Sequence, residues 1–248
     1  MKIIAHRGAS GEYPENSLLA FEQAIVQGAD AIELDVHFHA PSNCFVVIHD
    51  HFVDNVTQKN GDINHFSLTA LTALTIGCAQ HIPTLAQALH YINGRVLVNL
   101  EIKTVPQSTT ELNALLTSLQ AQLTQAQQQF NFSPKQILLS SFDHQLMIAC
   151  QRFMPQYAVA ALIAHNPVDM GESLISLNIY AVNPAIDCLS ADLITHLSEA
   201  DIKIWVYTVD REEDILRCLA LNVDGIFTNF PKHSRKVINE FHARQINN

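Results

Sequence analysis

Four short polar runs each close an apolar stretch of this chain, and their side chains are of the kinds that carry protons, metal ions and phosphates. The first is His6-Arg7-Gly8, after Lys2-Ile3-Ile4-Ala5. An imidazole exchanges protons near neutral pH, and a guanidinium offers a fork of donors that matches a phosphate. The second is Glu33-Leu34-Asp35, where a strand's period of two turns both carboxylates to one face. Two acids on an inward face stay ionised only beside a cation, and with a third oxygen donor they suit a hard ion such as Mg2+ or Ca2+. The third, Glu101-Ile102-Lys103, again sets two ionisable groups on one face. Glu101 is a candidate third ligand, and Lys103 a candidate partner for a phosphate oxygen or for surplus carboxylate charge. The fourth, Val46-Val47-Ile48-His49-Asp50, supplies a second histidine. Two histidines flanking a phosphate can divide the proton transfers, one accepting from the attacking oxygen and one donating to the leaving alcohol.

Each run also has a plain structural reading. His6-Arg7 can simply end a strand, the Glu33 and Asp35 pair can be satisfied by cations across the fold, and Glu101 with Lys103 can be an ordinary ion pair. A Schiff-base role for Lys103 needs a desolvated amine with a depressed pKa, which nearby carboxylates oppose. Asn16 or Ser17 is read as a helix cap. The remaining histidines, among them His37, His39, His51, His65, His81 and His165, are read as surface or loop residues.

Apolar, β-branched runs cover residues 3–6, 31–38, 44–49, 96–103, 136–141, 157–163, 179–183, 202–209 and 225–228. Helical spacing covers 17–27, 85–91, 110–129, 145–153, 191–200, 211–221 and 231–244. Strand and helix alternate over 248 residues with no Ser/Gly-rich linker, which predicts an α/β fold, a single (β/α)8 TIM barrel over residues 1–248. In such barrels the chemistry gathers at the C-terminal ends of the strands, where the polar runs lie. One connection breaks the alternation: residues 39–43 are too few for a crossover helix, so the flanking strands should form an antiparallel hairpin. A turn near Pro41 makes pairing positions sum to about 82, placing Glu33 opposite His49 and Asp35 opposite Val47. Residues 51–82 are polar and weakly periodic, and are expected to form a short insertion over the barrel rim after the strand ending at His49.

Lys and Arg total 14 against 24 Asp and Glu, a net charge of −10. A phosphate-bearing partner must therefore be held by local cations or a metal, and nucleic-acid binding is not expected. No run approaches the ~20 apolar residues that span a bilayer, so stable membrane insertion is not expected either. The opening residues lack the pattern of a signal peptide, which predicts a cytoplasmic location. Five scattered cysteines without CxxC spacing imply reduced, mostly buried thiols. GxGxxG, GxxxxGK[ST], HExxH and GxSxG patterns are missing, which demotes nucleotide binding and serine hydrolysis.

Taken in order, His6-Arg7-Gly8, Pro14-Glu15-Asn16-Ser17, Glu33-Leu34-Asp35-Val36, His49-Asp50, Pro83-Thr84-Leu85 and Glu101-Ile102-Lys103 resemble the glycerophosphodiester phosphodiesterases. The likeness continues through Leu139-Ser140-Ser141-Phe142, the stretch from Trp205 to Asp210, and Gly225-Ile226-Phe227-Thr228-Asn229. The resemblance implies a (β/α)8 barrel that hydrolyses small-molecule glycerophosphodiesters to an alcohol and sn-glycerol 3-phosphate with one divalent metal ion, Mg2+ or Ca2+. Carried over residue by residue, it makes Glu33, Asp35 and Glu101 the metal ligands, His6 and His49 the acid/base pair, and Arg7 and Lys103 the phosphate-binding residues. It also makes Trp205 and Phe142 candidates for the glycerol pocket.

Two departures stand out. The segment after His49-Asp50 has no arginine where the family usually has one, and the family's usual Thr-Val-Asn is Thr208-Val209-Asp210. An acid there is expected to bear on polar recognition of the substrate. Two alternative readings are a lysophospholipase D-type phosphodiesterase acting on lysophospholipids, and a non-catalytic phosphodiester-binding barrel. The second would be signalled by loss of a histidine or an acidic ligand, and none is lost. The oligomeric state is not written in the sequence.

Overall fold

A computed structural model describes residues 1–246. In chain order its elements are β1 (Lys2–Ala5), α1 (Leu18–Val26), β2 (Ala31–His39), β3 (Cys44–Val47), α2 (Leu68–Thr72), α3 (Leu85–Ile92), β4 (Leu97–Ile102), α4 (Thr109–Gln129) and β5 (Ile137–Ser141). There follow α5 (His144–Phe153), β6 (Ala158–Ile163), α6 (Glu172–Ser176), β7 (Ala181–Pro184), α7 (Ala191–Glu199), β8 (Lys203–Val206), α8 (Glu212–Ala220), β9 (Gly225–Thr228) and α9 (Pro231–Ile246). All strands but β3 pair in parallel, in the order β1-β9-β8-β7-β6-β5-β4-β2, and pairing of β1 with β2 closes the ring. This is the expected (β/α)8 barrel. Side-chain caps start many of the helices: Ser17, Ser108 and Ser190 accept backbone N–H groups of α1, α4 and α7, and Asp143 does so for α5.

The antiparallel strand β3 forms the predicted hairpin with β2, in a shifted register. Val36 pairs with Val47 and His37 with Val46, one residue out from the expected alignment. The cause is the turn, a 3-10 segment Ala40–Ser42 closed by Asn43 in a left-handed conformation with φ 49°. Such a slip exchanges the faces of the paired strand. Asp35 therefore lies opposite Ile48, whose N–H donates to the Asp35 carbonyl at 3.1 Å, and His49 sits in the loop beyond β3 instead of across from Glu33.

Alternation along the strands makes two cores. Outward residues pack beneath the helices, while Ile4, Ala31, Leu138, Ala160, Ala181, Trp205 and Phe227 fill the barrel interior. Trp205 fits because its neighbour on β9 is Gly225, where a Cβ would come within 3.2 Å of the indole and 2.8 Å of Ile4. Residues 51–82 cover a third, small cluster of Val46, Ile48, Val53, Ile63, Leu71 and Ile82. Within that segment α2 is five residues long, too short to show a helical period in the sequence. Among the described residues no helix is long and apolar enough to cross a membrane. All five cysteines are free, and Cys150, Cys188 and Cys218 are buried.

Candidate active site

Along the barrel's inner face apolar residues at the start of each strand give way to polar ones at its end. On β2 the inward series is Ala31, Glu33, Asp35 and His37, and on β4 it is Leu97, Asn99, Glu101 and, just past the strand, Lys103. Parallel register sets Asp35 beside Glu101. Ligand atoms of Glu33, Asp35 and Glu101 lie within 4.8 Å of one another, and all three residues are buried.

β1 delivers His6 and Arg7 to the same mouth. The backbone after β1 turns sharply, with positive φ at Arg7 (56°) and Gly8 (80°), and a Cβ on Gly8 would meet Ala20 at 2.7 Å. Only glycine permits that approach to α1. The turn aims the Arg7 N–H at Glu33 Oε2 (2.8 Å), and the guanidinium reaches Asp35 Oδ2 (3.1 Å) and Glu15 (3.1 Å). Lys103 Nζ lies 2.6 Å from Glu101 Oε1, 3.6 Å from Asp35 Oδ1 and 3.1 Å from His49 Nε2. His49 Nδ1 meets Asp50 Oδ1 at 2.8 Å.

The electrostatics of this cluster are unbalanced. Burial, followed by the charges of Asp35 and Glu101, pushes the Glu33 carboxyl well above its ordinary range. Burial and Asp35 likewise raise Glu101, against Lys103. Burial pulls Asp35 the same way, yet Arg7, Lys103 and His49 overcome it and hold that carboxyl low. Burial works against the Lys103 ammonium, but Glu101 and Asp35 more than offset it and raise its pKa. Glu33 Oε1 and Asp35 Oδ1 are buried without a hydrogen-bond partner. Three crowded carboxylates facing two cations, with two orphaned oxygens, form a donor set of hard oxygens that fits a divalent metal ion.

The pocket residues separate. Phe142 is 48% exposed at the same mouth, its ring 5.8 Å from Lys103 Nζ and edge-on to Tyr207 at 6.1 Å. Trp205 is not brought there. It lies 4% exposed in the barrel interior, against Phe227 and Tyr180, and lines a separate cavity of about 300 Å³ with Lys2, Ala31, Leu97 and Leu138 at the opposite, N-terminal end. The physical reason is the strand period: Tyr207, two residues on, shares Trp205's face and is the one that reaches the mouth.

Several residues near the site were not legible as functional. Asn16, read as one of two possible helix caps, leaves that role to Ser17 and instead donates through Nδ2 to Asp35 Oδ2 (2.8 Å). Its own Oδ1 accepts from the Asp35 N–H. The signal was its place directly before the cap, where a second polar residue has no capping work to do. His37 and His39, expected at the surface, are buried: His37 Nε2 lies 2.9 Å from the His49 carbonyl and His39 Nε2 3.1 Å from that of Phe66. The segment that follows β3 covers them, with the His49 carbonyl and the His51 ring against His37 and the Phe66 carbonyl against His39. Asn229 faces His6, with its Oδ1 2.8 Å from His6 Nδ1.

A closed parallel barrel with acids, histidines and cations gathered at the C-terminal strand ends defines a class, the TIM-barrel enzymes. The family model described as the "Glycerophosphoryl diester phosphodiesterase family" matches residues 6–233. The chain is 31% identical over 238 residues to a glycerophosphodiester phosphodiesterase of Caldanaerobacter subterraneus subsp. tengcongensis, covering 93% of this chain and 94% of that protein. A second enzyme of that name, from Bacillus altitudinis, is 31% identical over 96% of this chain and 98% of its own length. The fold matches a solved structure from Silicibacter pomeroyi with a TM-score of 0.89 at 21% identity, covering 98% and 94% of the two chains. It also matches an Oleispira antarctica phosphodiesterase solved with the product sn-glycerol-3-phosphate, with a TM-score of 0.87 at 24% identity and coverage of 96% and 97%. The chain belongs to the glycerophosphoryl diester phosphodiesterase family, and it is a phosphoric diester hydrolase.

Proposed function

We propose that this enzyme hydrolyses glycerophosphodiesters, the deacylated head groups of phospholipids, to an alcohol and sn-glycerol 3-phosphate in the cytoplasm. The observation that carries the reading is the meeting of Glu33, Asp35 and Glu101 with His6, His49, Arg7 and Lys103 at one barrel mouth. The complex of the Oleispira antarctica relative with sn-glycerol-3-phosphate supports the product class. Glu33, Asp35 and Glu101 would hold one Mg2+ or Ca2+ ion, which when bound supplies positive charge to the phosphoryl oxygens. Arg7 and Lys103 bind and orient the phosphate. One histidine takes the proton of the attacking oxygen, and the other returns one to the departing alcohol, so that one water is consumed per diester. Phe142 lines the approach for the glycerol moiety.

The test is product analysis on glycerophosphocholine, glycerophosphoethanolamine and a lysophospholipid, with and without chelator. Release of sn-glycerol 3-phosphate from the first two, lost with chelator and in His49→Ala, is the expected result. Preferential cleavage of the lysophospholipid would move the substrate class to the lysophospholipase D type. A rate untouched by chelator would remove the metal, and full activity of His49→Ala would remove that histidine.

A further inference from the structure

Asp210 is the acid that stands where the family resemblance expects an amide, and the reading above leaves it without work. It does not face the acid cluster. Its Oδ1 accepts from the Asn229 N–H at 2.8 Å and from the Thr228 hydroxyl at 3.0 Å, and its Oδ2 accepts from Asn229 Nδ2 at 2.6 Å. An ionised carboxylate has acceptors only. The Asn229 atom turned toward it is therefore the amide nitrogen, and the amide oxygen faces the other way. That oxygen lies 2.8 Å from His6 Nδ1 and 2.8 Å from Ser10 Oγ, whose hydroxyl is also 2.7 Å from the His6 carbonyl.

An amide oxygen can only accept, so His6 Nδ1 carries a proton. Burial, and then the neighbouring Arg7 charge, hold the His6 pKa below its ordinary value and so favour the neutral ring, and in a neutral ring with Nδ1 protonated the lone pair sits on Nε2. Among the described residues nothing hydrogen-bonds that nitrogen. His49 differs: its Nδ1 meets Asp50, and its Nε2 accepts from Lys103. Until Lys103 turns to a phosphate, His49 has no open nitrogen.

We propose that Asp210 and Asn229 are positioning residues that fix His6 as the Nδ1-protonated tautomer, making it the member of the histidine pair that accepts the proton of the attacking oxygen. The chain of causes is one of polarity: carboxylate orients amide, amide orients imidazole, and the reactive nitrogen is left bare. The proposal rests on the catalytic reading of His6, and a tautomer measurement keeps the two separable.

The experiment uses the full-length enzyme labelled with 15N-histidine, its His6 resonances assigned by loss in His6→Gln, together with kinetics on glycerophosphocholine. The wild type should show Nδ1 protonated and Nε2 bare. In Asp210→Asn an amide faces an amide, Asn229 is free to flip, and kcat should fall about 10- to 100-fold with KM within about twofold, alongside a shift of the His6 tautomer. The exchanged pair Asp210→Asn with Asn229→Asp restores every polarity, because the amide then at position 210 donates to a carboxylate at position 229 that accepts from Nδ1. It should recover kcat to within about threefold of wild type. A wild-type His6 protonated on Nε2 overturns the proposal whatever the variants do. So does Asp210→Asn with unchanged tautomer and kcat, or an exchanged pair as slow as the single variant. An active His6→Gln enzyme would instead sink the catalytic reading of His6 while leaving the tautomer result standing.

Discussion

The two ends of the barrel are made by the same strands, a few residues apart, and have opposite chemistry. At the N-terminal end Ala31, Leu97, Leu138, Ala158 and Trp205 give a cavity of about 300 Å³ its apolar wall, which Lys2, Asn99, Lys135, Gln136 and Gln156 complete without any acid among them. Two to four residues further along β2 and β4 the inward positions become Glu33, Asp35 and Glu101, crowded and short of positive charge. A period of two lets each strand serve packing at one end and chemistry at the other without changing its backbone. The apolar end contributes stability. The polar end costs it, because like charges are held together out of water.

That contrast can be broken most directly at Glu33. Glu33→Gln should lower kcat/KM by about 1,000-fold or more, since it removes a proposed ligand. It should also stabilise the chelated protein by about 1 kcal/mol, or about 2–4 °C in Tm, by relieving buried repulsion. Calorimetry in chelator and with added Mg2+ or Ca2+ checks both halves: the ion should raise the wild-type Tm and leave the variant unmoved. A variant less stable than wild type in chelator would show that the cluster is not strained.

Trp205→Ala probes the opposite end. It should cost about 3–5 kcal/mol in denaturant unfolding while kcat and KM, measured on the folded fraction, stay within about twofold. A large rise in KM with stability intact would instead give Trp205 a role with substrate.

The polar end should also be the pH-sensitive one. Burial holds His37 down from 6.5 to about 4. A depressed pKa contributes stability that is complete above 6.5 and is lost as pH falls through about 4, because the unfolded chain takes up the proton first. Unfolding free energies of wild type and His37→Gln, compared in chelator between pH 7 and 4, should converge by up to roughly 3 kcal/mol. A constant difference across that range would mean that His37 titrates normally. The smallest effect is expected at Phe142, half exposed beside Lys103. Phe142→Ala should raise KM a few-fold, about 1 kcal/mol of lost contact, with unfolding unchanged.

Much of this architecture was legible because barrel strands write a clear pattern. All nine predicted strands exist, β9 with the expected bounds, and the hairpin was recognised from a connection too short for a helix. The acids and Lys103 were legible for the same reason: charged residues at alternate places on an apolar strand have few explanations. The hairpin register was not, since it depended on a left-handed Asn43 that adds one residue to the turn. Nor was the choice between Trp205 and Tyr207, which share a face and differ only in depth. His37 and His39 were misread because their burial comes from the segment after β3, His49, His51 and Phe66 among it, folding over them, a contact between segments that no local period reports.

The chain by itself determined which residues share a strand face, and hence that Glu33 would accompany Asp35, and Glu101 would accompany Lys103. Local periodicity is a property of neighbours along the backbone, and it survives without knowledge of the fold. Only the closed barrel decided which faces meet, how deep each side chain lies, and that Asp210 turns away from the acids to hold Asn229 against His6. That last outcome rests on a hydrogen bond between residues 223 positions apart, whose direction is set when the ring of strands closes.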